Sequence, residues 1–135
     1  MVGAVHCGWR STVADIEKKV IDAMVELGAD TKNISIAMGP AIDRCCFEVG
    51  REVIEAVDAL IGKENSHEFY NQKENGKYML DLRGVVKARF IQLGVPVNNI
   101  ENVGGCTLCN PDRYYSHRYS EGVRGSLACT VMLRQ

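Results

Sequence analysis

The chain has 135 residues, 46% of them hydrophobic, enough for one domain with a real core. Its 16 Lys and Arg against 17 Asp and Glu leave a net charge of −1, so nothing points to nucleic acid or an anionic membrane surface. No apolar run is long enough to span a bilayer, and the N-terminus lacks the basic and apolar regions of a signal peptide. Six cysteines in such a chain are expected as reduced thiols of a cytoplasmic protein, not as a disulfide framework.

Val2 to Val5 is a short apolar run that reads as a buried strand. It delivers His6, Cys7, Gly8, Trp9 and Arg10 in consecutive positions into a strand-to-helix corner. Gly8 lets the backbone bend or approach a ligand. A neutral imidazole at His6 can bind a metal or move a proton. The Arg10 fork suits phosphate or carboxylate, although a structural ion pair is an equal reading of it. Ser11 or Thr12 can cap the helix that follows, with Asp15 placed to favour its start.

Val13, Ile16, Val20, Met24 and Leu27 form one apolar stripe, which predicts a helix from Thr12 to Gly28 with Asp15, Glu17 and Lys18 on its polar side. Gly28 is the expected stop. Ile34, Ile36 and Met38 alternate with polar or small residues and predict a strand from Asn33 to Met38, broken by Gly39-Pro40. The loop beyond carries Cys45-Cys46. This pair admits three readings, as a nucleophile with its neighbour, as metal ligands, or as small buried hydrophobes. Burial is favoured, because free Cys is among the most buried residue types and adjacent cysteines are a poor pattern for one zinc.

Glu52 to Ile61 predicts the second long helix, with Val53, Val57, Leu60 and Ile61 on one side. Gly62 to Gly76 is polar and reads as an exposed loop or short helix, in which His67 is solvated. Tyr78, Leu80 and Leu82 alternate and run into a third helix that ends at Gly94, with Val95-Pro96 as its exit. Ile100 to Val103 fits a short strand. Cys106-x-x-Cys109 is half of a zinc ribbon or a redox motif. A ribbon needs a second such pair, and the Asn110-Pro111 turn is no thioredoxin helix, so a structural or substrate-lining loop is expected. Tyr114-Tyr115-Ser116-His117-Arg118 reads as a pocket wall or an edge strand. Glu121-Gly122 and Arg124-Gly125 are hairpin signals, and Ser126 to Leu133 reads as a buried closing strand. The roles of Cys45, Cys46, Cys106, Cys109 and His117 stay open at this level. Intermixed strands and helices predict an α/β or α+β domain with mixed sheets.

Four ordered motifs carry a resemblance to the YfiH-like family, known both as multicopper polyphenol oxidase or laccase domain and as purine nucleoside phosphorylase. His6-Cys7-Gly8-Trp9-Arg10 resembles its H-x-G-W-R-G. Gly39-Pro40-Ala41-Ile42 with Cys45-Cys46-Phe47-Glu48-Val49 resembles its G-P-x-I…C-C-[FY]-E-V. Lys77-Tyr78-Met79-Leu80-Asp81-Leu82 resembles its K-Y-x-x-D-L. Cys106-Thr107 with Tyr114-Tyr115-Ser116-His117-Arg118 resembles its C-T…F-F-S-[YH]-R.

The resemblance implies a layered α-β-β-α sandwich, as in cytotoxic necrotising factor-like domains. It implies a zinc-dependent enzyme that phosphorolyses adenosine, inosine or 5′-methylthioadenosine, with adenosine deamination as a second activity. The partners it implies are a purine nucleoside and phosphate, with a homo-oligomer possible. His6 carries over as a metal ligand, and Arg10, four residues on, is the candidate catalytic residue for binding phosphate or stabilising developing charge. The family's other two ligands lie in Q-V-H-G and A-D-C motifs upstream of the His6 motif, so residues 1–135 correspond to the C-terminal part of a longer domain. The alternatives are a copper-dependent polyphenol oxidase, a cysteine hydrolase or amidase acting on a peptidoglycan precursor, and an inactive truncated domain.

Overall fold

Val53, Ile54, Val57 and Ile61 recur at helical spacing, and all four are buried on helix α3 (Arg51–Ile61). They meet Leu82, Val85, Val86 and Phe90 of α5 (Leu82–Gln92), also buried. These two faces make the centre of a computed structural model that describes residues 1–120, 123 and 125–133. Between them in sequence lie the short α4 (Lys63–Ser66) and the strands β3 (Tyr70–Gln72) and β4 (Tyr78–Leu80). β4 is central to an antiparallel sheet, pairing with β2 (Glu48–Val49) on one side and β3 on the other, with Val49 opposite Tyr78 and Tyr70 opposite Leu80.

A second sheet pairs β1 (Ile36–Met38) in parallel with β5 (Ile100–Asn102), Ile36 opposite Ile100 and Met38 opposite Asn102. A parallel pair needs a long crossover, and here it is everything from residue 39 to residue 99. The parallel alignment resumes beyond the strands at Ala41 and Cys106, where Thr107 N–H donates to the Ala41 carbonyl at 3.0 Å. The loops that leave β1 and β5 therefore run side by side. The chain is a mixed helix-and-sheet fold with parallel and antiparallel sheets, as its element pattern predicts.

Three expectations need correction. The helix expected from Thr12 to Gly28 is two helices, α1 (Trp9–Val13) and α2 (Ile16–Glu26), separated by Asp15 in the left-handed conformation at φ 59°. That conformation costs a non-glycine residue about 1–2 kcal/mol, and a tertiary contact offsets it. Arg89 of α5 donates to both Asp15 oxygens, Nε to Oδ1 at 2.8 Å and Nη2 to Oδ2 at 2.7 Å. The break re-phases the helix, so Glu17 is 0% exposed while Leu27 is 73% exposed. The stop is as expected: Gly28 has φ 95°, Ala29 N–H reaches the Met24 carbonyl and Gly28 N–H the Val25 carbonyl. Gly94 ends α5 in the same way.

The second correction concerns the terminal runs. Val2 to Val5 and Ser126 to Leu133 form no strands, because no described residue offers a ladder to their backbone groups. Val2, Val5, Leu127, Val131 and Leu133 are exposed. At Gly3 the N-terminal segment passes over Val20 and Met24 of α2. Third, the polar stretch 62–76 contains β3 as well as α4. His67 is exposed there, as expected. Tyr114 to Arg118 forms no strand: Tyr114 lies in a bend and His117 and Arg118 in a turn. Of the hairpin signals, Glu121, Gly122 and Arg124 lie outside the described residues.

Candidate functional site

Gly8, with ψ 164°, is the residue at which the chain turns into α1, and no side chain caps that helix. The expected cap by Ser11 or Thr12 is replaced by a different bond. Ser11 sits inside the first turn, its hydroxyl donating back to the His6 carbonyl at 2.8 Å and lying 2.9 Å from the Gly8 carbonyl. This ties His6 to the helix start. A Cβ at Gly8 would lie 2.9 Å from His6 Nε2, so a larger residue there would move the imidazole from its place over the turn. The Arg10 guanidinium stacks on the Trp9 indole at 4.5 Å from the ring centroid. Both His6 and Arg10 are exposed, and no ion pair engages Arg10 among the described residues.

Zinc needs three or four converging ligand atoms. Among the described residues no group of His, Cys, Asp or Glu gathers around His6. The corner supplies one imidazole and does not by itself fit a metal centre.

Behind the corner, burial first and then the neighbouring Glu17 push the Cys7 thiol up to about 12. Cys7 is thus a neutral thiol, unsuited to nucleophilic attack. Glu17 is itself raised, chiefly by burial, although the Thr12 hydroxyl and the Cys7 thiol face its carboxylate and favour the ionised form. Neither reaches hydrogen-bonding geometry: both Glu17 oxygens and Thr12 Oγ1 are buried without a partner among the described residues.

The second cluster comes from the two adjacent loops. Cys46 Sγ lies 3.3 Å and Cys45 Sγ 3.6 Å from Cys109 Sγ, and with Cys106 all four sulfurs fall within 4.8 Å of one another. The expectation that Cys45 and Cys46 are buried hydrophobes does not hold, since Cys45 and Cys109 are exposed and Cys46 is half-buried. The tight turn at Asp43–Phe47, with Cys46 and Phe47 N–H groups both donating to the Asp43 carbonyl at 2.9 Å, aims both neighbouring thiols at Cys109. The second pair that Cys106-x-x-Cys109 lacks in sequence is therefore Cys45-Cys46.

Charges and hydrogen bonds hold both loops. Arg83 of α5 is ion-paired with Asp43 and donates to the Gly104 carbonyl at 3.2 Å. Arg118 donates to the carbonyls of Cys46 (3.3 Å) and Glu48 (2.7 Å) and stacks on Phe47. Asn110 Nδ2 donates to the Cys106 carbonyl at 2.8 Å. Burial raises the Cys45 thiol to about 11 and raises Cys46 further. Cys106 is also opposed by burial, but backbone N–H groups, among them that of Asp43 at 3.4 Å from Sγ, bring it down to about 7. Arg83 did not stand out in the sequence, and Arg118 did so only as the end of the Tyr114–Arg118 run.

Tyr114, Tyr115 and Ser116 line a shallow cleft of about 480 Å³ with Tyr119, consistent with the pocket-wall reading. His6 and Arg10 do not line it.

The family described as "Multi-copper polyphenol oxidoreductase laccase" matches residues 1–134. Adenosine deaminase RL5, from an unknown prokaryotic organism, is 38% identical over 118 residues, which are 87% of this chain and 45% of that protein. Purine nucleoside phosphorylase YlmD of Bacillus subtilis (strain 168) is 29% identical over 136 residues, covering 100% of this chain and 48% of that one. Among solved structures, YlmD from Geobacillus stearothermophilus superposes with a TM-score of 0.83 at 29% identity, over 90% of this chain and 45% of that one. The chain spans about half the length of the curated relatives it matches.

Proposed function

Since the chain belongs to the multi-copper polyphenol oxidoreductase laccase family, we propose that it carries one part of a zinc-dependent purine nucleoside phosphorylase site, for adenosine, inosine and 5′-methylthioadenosine, with adenosine deamination as a second activity. The observation that carries this reading is the corner at Gly8, where an exposed imidazole and an exposed guanidinium are held on one turn of chain. Relatives named for both activities are similar to this chain over 87% and 100% of its length. His6 supplies one metal ligand, and the others come from outside these 135 residues. Arg10 grips the phosphate that accepts the ribosyl group, through the paired N–H donors that suit a phosphate dianion.

The unpaired apolar segments support the same reading. Val2 to Val5 and Ser126 to Leu133 alternate or run apolar as strands do, yet are exposed here. We read them as strands completed by the rest of the domain, or by a second copy in a homo-oligomer. Among the described residues no helix is long and apolar enough to cross a membrane, and the expected compartment is the cytoplasm. Copper oxidation is the weaker reading, because a blue-copper site asks for two His and one Cys, while the corner gives one His and the cysteine cluster only sulfur. Cysteine hydrolysis is disfavoured at the corner by the neutral Cys7 thiol.

The test is a chimera in which this chain replaces the matching half of Bacillus subtilis YlmD. The chimera should release hypoxanthine from inosine in a phosphate-dependent reaction, and His6→Ala or Arg10→Ala should each lower kcat/KM at least 100-fold, within the range expected for a lost catalytic contact. A soluble, folded chimera whose activity is indifferent to both substitutions would remove His6 and Arg10 from the site.

A further inference from the structure

The four cysteines have no part in the reading above, and their geometry calls for its own explanation. We infer that Cys45, Cys46, Cys106 and Cys109 form a tetrathiolate zinc site that clamps the loop after β1 to the loop after β5.

Four points carry it. The first is distance. A tetrahedral zinc with Zn–S bonds of about 2.3 Å sets its sulfurs about 3.8 Å apart. The sulfurs here are 3.3 and 3.6 Å apart at the two closest approaches to Cys109 and all within 4.8 Å, so rotamer adjustments of at most about 1 Å close the cage. The second is origin. Each loop contributes two sulfurs, and the loops are already aligned by the Ala41–Cys106 bridge, so the ligands are gathered by the fold and not by the metal alone.

The third is the surrounding charge. Four thiolates on one Zn²⁺ leave a net charge of −2, and the guanidinium of Arg118 is anchored on the Cys46 carbonyl; Arg83, its own charge paired with Asp43, ties the two loops together. The Asp43 N–H points at Cys106 Sγ, as backbone donors do towards a metal-bound thiolate. The fourth is the failure of other roles. Exposed Cys45 and Cys109 are not core hydrophobes, and a single disulfide would leave two of the four crowded sulfurs without a role.

All four positions are filled by protein, so the site is structural, with no open position for water or substrate. Binding is balanced by proton release: each sulfur that enters as a thiol gives its proton to solvent as it takes the metal. His6 is not among the residues gathered at this cluster.

The experiment measures zinc and thiols on the full chain purified from zinc-supplemented culture without chelator. We expect one zinc per chain in wild type and in His6→Ala, and at least a tenfold lower content in Cys46→Ser and Cys109→Ser. Because those variants can lose zinc through misfolding, wild-type protein reloaded with Co²⁺ provides a second readout, which should show the intense sulfur-to-cobalt charge-transfer absorption of a tetrahedral thiolate site. Zinc-free wild type that takes up neither metal would overturn the inference, as would a Cys46–Cys109 disulfide in rapidly alkylated extracts. Zinc that is lost from His6→Ala but kept in both serine variants would overturn it too. Activity or inactivity on purine nucleosides moves none of these readouts.

Discussion

Cys46 and Cys109, 63 positions apart in sequence, bring their sulfurs to 3.3 Å in the fold. Their chemistry should depend on what holds them. Denatured without reductant after rapid alkylation, the chain should show six free thiols, in keeping with a reduced cellular compartment. In native zinc-loaded protein, Cys45 and Cys109 should alkylate at least tenfold more slowly than Cys129, although all three are exposed. A chelator should erase the difference. Mass spectrometry of labelled peptides reads each site, and equal rates with zinc present would contradict protection by a metal.

The Asp15–Arg89 pair makes a pH-dependent contribution to stability. Arg89 hydrogen bonds hold the Asp15 carboxyl below its ordinary value of 3.8. An acid whose folded pKa is depressed stabilises above its unfolded pKa, and that stability is lost as pH falls through the folded pKa. Asp15→Asn keeps a side chain that tolerates the left-handed backbone, removes the charge and leaves one of the two Arg89 donors without its acceptor. It should cost about 1–2 kcal/mol in urea unfolding at pH 7. The gap from wild type should close below pH 3.8, and a gap independent of pH would show the pair to be electrostatically inert.

Glu17 should behave with the opposite sign. Burial raises its folded pKa above the ordinary 4.5, so its stability is full below that value and falls as pH rises through the folded pKa. Glu17→Gln should therefore be more stable than wild type at pH 7, by roughly 1 kcal/mol, the scale of one unmet buried polar group. The advantage should shrink towards pH 4. A variant less stable than wild type at pH 7 would mean that the carboxylate has a partner essential to the fold.

Much of the frame is legible in local pattern. The alternation of Ile34, Ile36 and Met38 locates β1, although the strand itself covers only Ile36–Met38 of the expected Asn33 to Met38; the spacing of Val53, Val57 and Ile61 marks α3, and Gly28 and Gly94 end their helices through their φ values. What is not legible depends on partners far along the chain. The break at Asp15 is fixed by an arginine 74 positions away. β3 is a polar edge strand whose only signal is its pairing with β4. The inward turn of Glu17 follows from that break, so its place on the polar side of an unbroken helix misleads. The motif at Gly8 names His6 and Arg10 as candidates from the sequence. The cysteine cluster needs the parallel alignment of two loops, although two closely spaced cysteine pairs in one chain are the signal that could have found it.

The most direct test of the central claim, that these residues hold part of a purine nucleoside site and not the whole, is base release by the chain on its own. The 135-residue protein is incubated with inosine, adenosine, phosphate and zinc, and hypoxanthine and adenine are followed by chromatography. No release above the enzyme-free rate is expected, because one imidazole cannot hold a catalytic metal firmly. Turnover of about 1 per second or faster, abolished in Arg10→Ala, would contradict it and show that the site is complete within this chain.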